Sequence, residues 1–126
     1  MVGFNGTNII HLEASDFKNN TLSYNGSPVK GVWIVMVQTN HCHFCNDMKP
    51  TFTKLANKIG SNNTVQGPIF ATIQIEEEDA LAKMLPKIIN TQLAGVPAIL
   101  RFENGKFAAM VVGGKNEGQL VEFMNH

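Results

Sequence analysis

The longest apolar run of the chain covers residues 32–37, Val-Trp-Ile-Val-Met-Val. The run lacks polar–apolar alternation, which is typical of a strand that helices cover on both faces. It is much shorter than the roughly 20 apolar residues that a membrane-spanning helix needs. We therefore predict a buried strand here, at the centre of a sheet.

A helix is predicted directly after this strand, over residues 46–59. Apolar residues recur there at steps of three and four, which gives the helix one apolar face: Met48, Phe52, Leu55, Ala56 and Ile59. Gly60 is suited to end the helix. Pro50 removes one backbone hydrogen bond inside it, so we expect a kink there.

Two further elements are predicted in the second half of the chain. Residues 69–75 alternate and indicate a strand, with Ile69, Ala71, Ile73 and Ile75 on one side. A helix crossed by Pro86 is indicated by the spacing of Leu81, Met84, Leu85, Ile88 and Ile89. Acidic residues at 76–79 precede it, where the helix dipole stabilises carboxylates.

A β-hairpin and a last helix complete this half. Asn104-Gly105 separates two apolar runs, residues 96–102 and 107–112, and Asn-Gly favours a tight hairpin turn. Gly113-Gly114 ends the second strand. Residues 119–124 then form a helix, with Leu120, Phe123 and Met124 on one side.

The N-terminal part has weaker patterns. Residues 1–8 are expected to be flexible, and residues 9–12 to form a short strand. A helix start is predicted at residues 15–17, with Ser15 or Asp16 as its cap. Asn25-Gly26 is the predicted turn of a hairpin within residues 22–29.

The order of these elements predicts an α/β fold. It reads strand, helix, strand, helix, strand, helix, strand, strand, helix, which favours a central mixed β-sheet with helices on both faces. The length of 126 residues suits one domain covering residues 1–126.

Charge and composition narrow the class of function. Lys+Arg 10 and Asp+Glu 10 give a formal net charge of +0, without a block of like charge, so nothing favours nucleic acid or an anionic membrane. The start Met-Val-Gly-Phe-Asn has neither the basic nor the apolar part of a secretory signal. We expect a protein of a reducing, cytoplasmic compartment.

Both cysteines, Cys42 and Cys45, are spaced C-x-x-C between the central strand and its helix. The first turn of a helix has unpaired N–H groups and the positive end of the dipole, and both favour a thiolate. Cys42 is therefore the candidate nucleophile. In a reducing compartment this spacing indicates a redox couple or a metal site.

Two other functions remain open. A zinc site could use His41, Cys42, His43 and Cys45, although adjacent residues rarely point along compatible tetrahedral directions. A redox-inactive adaptor, in which the C-x-x-C never cycles, is the third hypothesis.

Three more motifs make the chain resemble the thioredoxin family from about Ile9 to its end. Pro50, eight residues after Cys42, matches the family's kinking proline. Residues 95–106, Gly-Val-Pro-Ala-Ile-Leu-Arg-Phe-Glu-Asn-Gly-Lys, look like its signature segment, and residues 112–120 resemble its last loop and helix. The resemblance implies the thioredoxin fold and a cis bond before Pro97.

The resemblance also implies thiol–disulfide exchange with protein disulfides, in which Cys42 attacks and Cys45 resolves. The substrate-binding residues that it implies are Phe44, Gly95, Val96, Pro97 and Gly113. Action as a reductant is expected, with an oxidase or isomerase as the alternative. The resemblance implies a thioredoxin reductase with NADPH as the electron source, although no motif in this sequence binds either of them. We expect no cofactor and no metal. We also expect the protein to be a monomer.

The chain also departs from the family pattern. His41 replaces a tryptophan and His43-Phe44 replaces Gly-Pro; the family's buried aspartate falls on Met36, and an aromatic residue falls on Gln38. Because position 36 has no carboxylate, removing the proton of Cys45 needs water, another side chain or the substrate. Protonated histidines would stabilise a thiolate and make the couple more oxidising, unless they are simply exposed polar residues.

Overall fold

The computed structural model describes residues 9–24, 26–39, 41–60, 67–76 and 80–125. The strands are β1 (Ile10–Leu12), β2 (Phe17–Lys18), β3 (Thr21–Tyr24), β4 (Ser27–Pro28), β5 (Val32–Gln38), β6 (Ile69–Gln74), β7 (Ala98–Glu103) and β8 (Lys106–Val112). The helices are α1 (His43–Ile59), α2 (Ala80–Ile88) and α3 (Glu117–Met124). One 3₁₀ turn, Ala14–Asp16, lies between β1 and β2. None of the helices in these described ranges is long and apolar enough to cross a bilayer.

The main sheet has five strands in the order β1-β6-β5-β7-β8. β1, β6 and β5 run parallel, whereas β7 is antiparallel to β5 and β8 is antiparallel to β7. The predicted central strand therefore lies in the middle of a mixed sheet, as expected. In the register of β5, Met36 pairs with Thr72 on β6 and Val37 pairs with Ala98 on β7.

Helices cover both faces of this sheet, which confirms the predicted α/β architecture. Successive side chains of a strand point to opposite faces, so β5 contributes to two cores. Trp33, Val35 and Val37 pack in the cluster that includes α2. Ile34 and Met36 pack in the cluster that includes α1 and α3.

α1 begins at His43, not at residue 46 as predicted, and contains Pro50 as expected. Four of the five predicted apolar positions are buried: Met48, Phe52, Leu55 and Ala56. The fifth, Ile59, is exposed, so the prediction for it was wrong. Gly60 ends the helix in an extended conformation with φ −70°. Glycine is needed there for space, because a Cβ would collide with the backbone of Ala56.

The helix predicted from residues 15–17 is wrong. Only the 3₁₀ turn forms, and Phe17 begins β2 instead. Its ring is buried at 6.0 Å from that of Phe102, measured between centroids. Asn19 and Asn20 have φ of 52° and 63° and form a two-residue turn that pairs β2 with β3. Burial of Phe17 and this turn override the local helix-cap pattern.

The predicted hairpin turns are found where they can be described. Asn104 and Gly105 have φ of 54° and 85°, as the tight turn between β7 and β8 requires. Tyr24 pairs with Ser27 across the earlier turn, of which Asn25 lies outside the described residues. Leu22 N donates to Gly105 O at 2.7 Å and joins the small sheet β2-β3-β4 to the β7–β8 turn.

The other predicted elements are confirmed with small changes at their ends. α2 buries Leu81, Leu85 and Ile88 and contains Pro86. α3 begins at Glu117 with Asn116 as its cap, earlier than the predicted residue 119. The prediction for the flexible residues 1–8 and most of the acidic run before α2, residues 77–79, lie outside the described residues.

Candidate active site

A disulfide joins Cys42 and Cys45 at the junction of β5 and α1. The two Cα atoms are 5.1 Å apart, within the usual range for a disulfide. Cys42 is the N-cap of α1, and Cys45 lies three residues later, in its first turn. The C-x-x-C spacing thus places both sulfurs at the N-terminus of the helix.

The backbone at this helix start favours a thiolate on Cys42. The N–H of Cys45 donates to Cys42 Sγ at 3.0 Å and so fills one of the unpaired donors of the first turn. When the disulfide opens, this N–H and the helix dipole stabilise negative charge on the same sulfur. Cys42 is 9% exposed and Cys45 is 0% exposed, so a substrate can reach only Cys42.

The two histidines of the motif differ in their contacts. His43 Nε2 lies 3.1 Å from Asp47 Oδ2, one helical turn away, and the His43 side chain is 81% exposed. Its ring meets that of Phe44 edge-on at 5.6 Å between centroids. His41 is exposed. The i,i+4 spacing is a sequence signal from which Asp47 could have been identified as a partner.

Phe44 is the most exposed large apolar residue in the described ranges, at 64%. It lies between the two cysteines in sequence, on the first turn of α1. An aromatic ring in this position offers apolar contact area to any molecule that approaches the disulfide.

A loop that precedes β7 packs beside the cysteines. The peptide bond between Val96 and Pro97 is cis. Val96 packs against the apolar cluster that contains both cysteines, and it precedes Ala98, the first paired residue of β7. Val96 therefore lies outside the strand ladder, and its side chain packs against the apolar clusters on both faces of the sheet.

Gly113 holds this loop from the end of β8. Its N–H donates to Pro97 O at 2.8 Å, and its φ of +98° strongly favours glycine. Gly95 is different, because a Cβ there would make only an ordinary contact, at 3.8 Å from Val112 Cγ1. The structure explains the glycine at 113 but not the one at 95.

A buried polar pair that sequence reasoning missed lies on the face of the sheet that α1 covers. Gln38 Nε2 donates to Thr72 Oγ1 at 2.8 Å, and Thr72 Oγ1 donates to Met36 O at 2.8 Å. Gln38 and Met36 were noted only as departures from the family. Thr72 carries no local signal, because it reaches Gln38 through the pairing of β5 with β6.

The geometry gives no support to a zinc site. Within the described ranges, no three side chains of His, Cys, Asp or Glu converge as metal ligands. Cys42 and Cys45 are bonded to each other, and His43 is directed towards Asp47.

Comparison with known proteins identifies relatives of this arrangement. The family model described as Thioredoxin matches residues 8–126. Thioredoxin f from spinach chloroplast, short form, is similar with 19% identity and a TM-score of 0.69, covering 99% of this chain and 96% of that one. Thioredoxin of Malassezia sympodialis is similar with 16% identity and a TM-score of 0.65, covering 93% and 88%.

A third solved structure is similar over nearly the whole chain. It was determined for the thiol resolving mechanism of yeast mitochondrial 1-Cys peroxiredoxin via glutathione/thioredoxin systems, with 16% identity, a TM-score of 0.66 and 93% of each chain covered. At such identities these structures show a shared fold, which is the predicted thioredoxin fold. The family match over residues 8–126 goes further: the chain belongs to the thioredoxin family.

Proposed function

We propose that the protein reduces disulfides of other proteins by thiol–disulfide exchange. The observation that carries this proposal is the disulfide at the N-terminus of α1, with Cys42 Sγ accepting the N–H of Cys45. Family membership and this disulfide indicate redox activity in general. The proposal adds two points: that the protein acts as a reductant, and that its substrates are disulfides of other proteins.

The difference in exposure supports different roles for the two sulfurs. The thiolate of Cys42 attacks a substrate disulfide, forms a mixed disulfide and releases the first substrate sulfur, which takes up a proton. Cys45, buried beside it, then loses its proton and attacks Cys42. The second substrate sulfur leaves with the electron pair and is protonated. Two electrons and two protons thus pass from the dithiol to the substrate.

The loop at Val96 and the ring of Phe44 are the proposed contact surface for the substrate. The backbone of Val96 would pair with an extended peptide as a strand does, and the hydrogen bond from Gly113 N to Pro97 O supports this by holding the loop. Phe44→Ala should lower kcat/KM about three- to tenfold without changing stability, because the ring is 64% exposed. Ile59→Ala, at the other end of α1, is the matched control and should leave kcat/KM unchanged.

The pairing of His43 favours the reductant over the oxidase. A protonated His43 would stabilise the Cys42 thiolate and make the couple more oxidising. The carboxylate of Asp47, 3.1 Å from its Nε2, offsets that charge. We therefore propose that His41 and His43 tune the couple only weakly.

The reduction potential of the couple tests the direction. The Cys42/Cys45 pair is equilibrated in graded dithiothreitol or glutathione buffers and its thiols are counted by an alkylation gel shift. We expect a value near about −270 mV, typical of a reductant, whereas about −180 to −120 mV would mean an oxidase or isomerase. A pair that does not titrate reversibly would favour the redox-inactive adaptor.

A trapping experiment tests the mechanism itself. Cys45→Ser removes the resolving sulfur, so a mixed disulfide between Cys42 and the substrate should accumulate and disappear on addition of dithiothreitol. Insulin is a convenient disulfide substrate, and Cys42→Ser is the matched control that should trap nothing. If Cys45→Ser traps neither insulin nor any disulfide protein of a cell extract, the proposed function is wrong.

The setting of this activity is also proposed. Reduction suits a reducing, cytoplasmic compartment, where the protein would act as a monomer. A thioredoxin reductase that uses NADPH would return Cys42 and Cys45 to thiols, by analogy with the family. Reduction of the disulfide by such an enzyme, followed in the absorbance of NADPH, checks this partner.

A further inference from the structure

A buried chain of hydrogen bonds on the α1 face of the sheet includes an oxygen atom that has no partner among the described residues. Gln38 Nε2 donates to Thr72 Oγ1, and Thr72 Oγ1 donates to Met36 O. The side chains of Gln38 and Thr72 are fully buried. Gln38 Oε1 is buried too and has no hydrogen-bond partner among the described residues. A buried carbonyl oxygen without a donor is costly and rare, so this one requires an explanation.

The orientation of the Gln38 amide follows from the threonine hydroxyl. A hydroxyl has a single hydrogen, and that of Thr72 is donated to Met36 O. Thr72 Oγ1 can therefore only accept from Gln38, which must present its NH₂ group. Turning the amide over would place one acceptor against another. The oxygen of Gln38 consequently faces away from Thr72.

The position of Gln38 places its side chain on the face of the sheet that also carries the sulfurs. Gln38 follows Met36 by two residues on β5, so both side chains leave the sheet on the face of α1. Met36 packs in the cluster that contains Cys42 and Cys45. Gln38 is also the last residue of β5, at the end of the strand that leads to Cys42.

We propose that Gln38 is a positioning residue for Cys45, whose S–H donates to Gln38 Oε1 once the disulfide opens. In the disulfide neither sulfur carries a hydrogen, so neither sulfur can donate to this oxygen. Cys45 is the donor of choice because it is fully buried and cannot donate to solvent. Cys42 differs, since it is 9% exposed and its S–H can donate to solvent. The role in catalysis rests on the proposed function.

This hydrogen bond has two consequences for the exchange reaction. In the mixed disulfide it holds Cys45 in one orientation until its sulfur attacks Cys42 and its proton passes to the substrate sulfur that leaves. The bond between Cys42 and the substrate sulfur then breaks, as described above. The hydrogen bond also exists only in the reduced form, so it stabilises the dithiol over the disulfide and makes the couple more oxidising.

The S–H stretching band in the infrared tests the hydrogen bond directly. Reduced Cys42→Ser protein contains one thiol, that of Cys45, because the sequence has two cysteines. Adding Gln38→Met replaces the amide by an apolar chain of similar length. We expect the band to move to higher frequency as the hydrogen bond is lost. In protein with both cysteines, Gln38→Met should shift the equilibrium with dithiothreitol about threefold towards the disulfide. An unchanged band would overturn the proposal.

Thr72 provides a second test that leaves Gln38 in place. Thr72→Val removes the hydroxyl that orients the amide, and should move the band in the same direction by less. Thr72→Ser keeps the hydroxyl and should behave as the native residue. If Gln38→Met does not fold, this pair decides, and identical bands in the two variants would overturn the proposal.

The infrared measurement needs no substrate, so it separates the two proposals. A shifted band together with no trapped mixed disulfide in Cys45→Ser would support the hydrogen bond and overturn the proposed function. Trapping without any band shift would support the proposed function and overturn the role of Gln38.

Discussion

The two faces of the five-stranded sheet are both buried, but they carry different residues. On the α2 face the buried side chains of the central strands are apolar, as in Val35, Val37 and Leu100, apart from the indole N–H of Trp33. In the part of the chain that the structure describes, the α1 face carries both cysteines and three buried polar side chains: Gln38, Thr72 and Arg101. Arg101 donates to Phe123 O at 2.7 Å and so ties α3 to the sheet.

This difference separates stability from chemistry. An apolar face contributes through burial and close packing, which need only the right volume at each position. Polar groups on the other face must each find a partner, and the partner available changes when the disulfide opens. Substitutions on the α2 face should therefore change stability alone, whereas those around α1 should change the reaction.

The largest expected effect on the rate of reaction comes from replacing Cys42, the proposed nucleophile on the α1 face. Cys42→Ser should lower the rate of insulin reduction about a thousandfold or more, because the attacking sulfur is lost. Urea unfolding of the reduced proteins should show nearly equal stability, since serine can also cap α1. A variant that keeps a tenth of the native rate would contradict the assignment of Cys42.

The α2 face should give the opposite result. Leu85→Ala removes a fully buried side chain and should lower the free energy of unfolding by about 2–5 kcal/mol, measured in urea. The reduction potential of the folded variant should be unchanged, because Leu85 packs on the face away from the sulfurs. A shift of more than about 30 mV, a tenfold change in the equilibrium, would show that the two faces are coupled.

Gly113 tests the loop beside the cysteines. Gly113→Ala forces a side chain into φ +98° and should cost about 1–2 kcal/mol of stability. It should also lower kcat/KM, because Gly113 N holds Pro97 O. Gly114→Ala is a matched control, since a Cβ there meets no atom within 4 Å. Equal effects of the two substitutions would contradict this role.

The smallest effect is expected from the exposed pair on α1. Asp47→Asn removes the negative charge beside His43 and should shift the redox equilibrium towards the dithiol by less than about fivefold. About 1 M salt should abolish the shift, because the Debye length is then about 3 Å. A larger effect that persists in salt would mean that His43 acts on Cys42 more directly than its exposure suggests.

The amino-acid sequence by itself determined most of the fold. The unbroken apolar run of β5, the three- and four-residue spacing in α1 and the Asn104-Gly105 turn each identify an element from local pattern alone. These elements could be predicted because the hydrophobic pattern of a strand or helix and the geometry of a tight turn are set by residues close together in the sequence. The C-x-x-C at the strand–helix junction likewise located the cysteines, and it predicts Cys42 as the nucleophile.

Tertiary structure decided what depends on residues far apart in the chain. Phe17 became part of a strand because it packs on Phe102, and no local pattern shows that contact. Gly113 meets Pro97 across the β7–β8 hairpin, and Gln38 meets Thr72 only in the register of β5 with β6. Each buried polar group takes the partner that strand pairing brings to it, which is why the sequence located the sulfurs but not their surroundings.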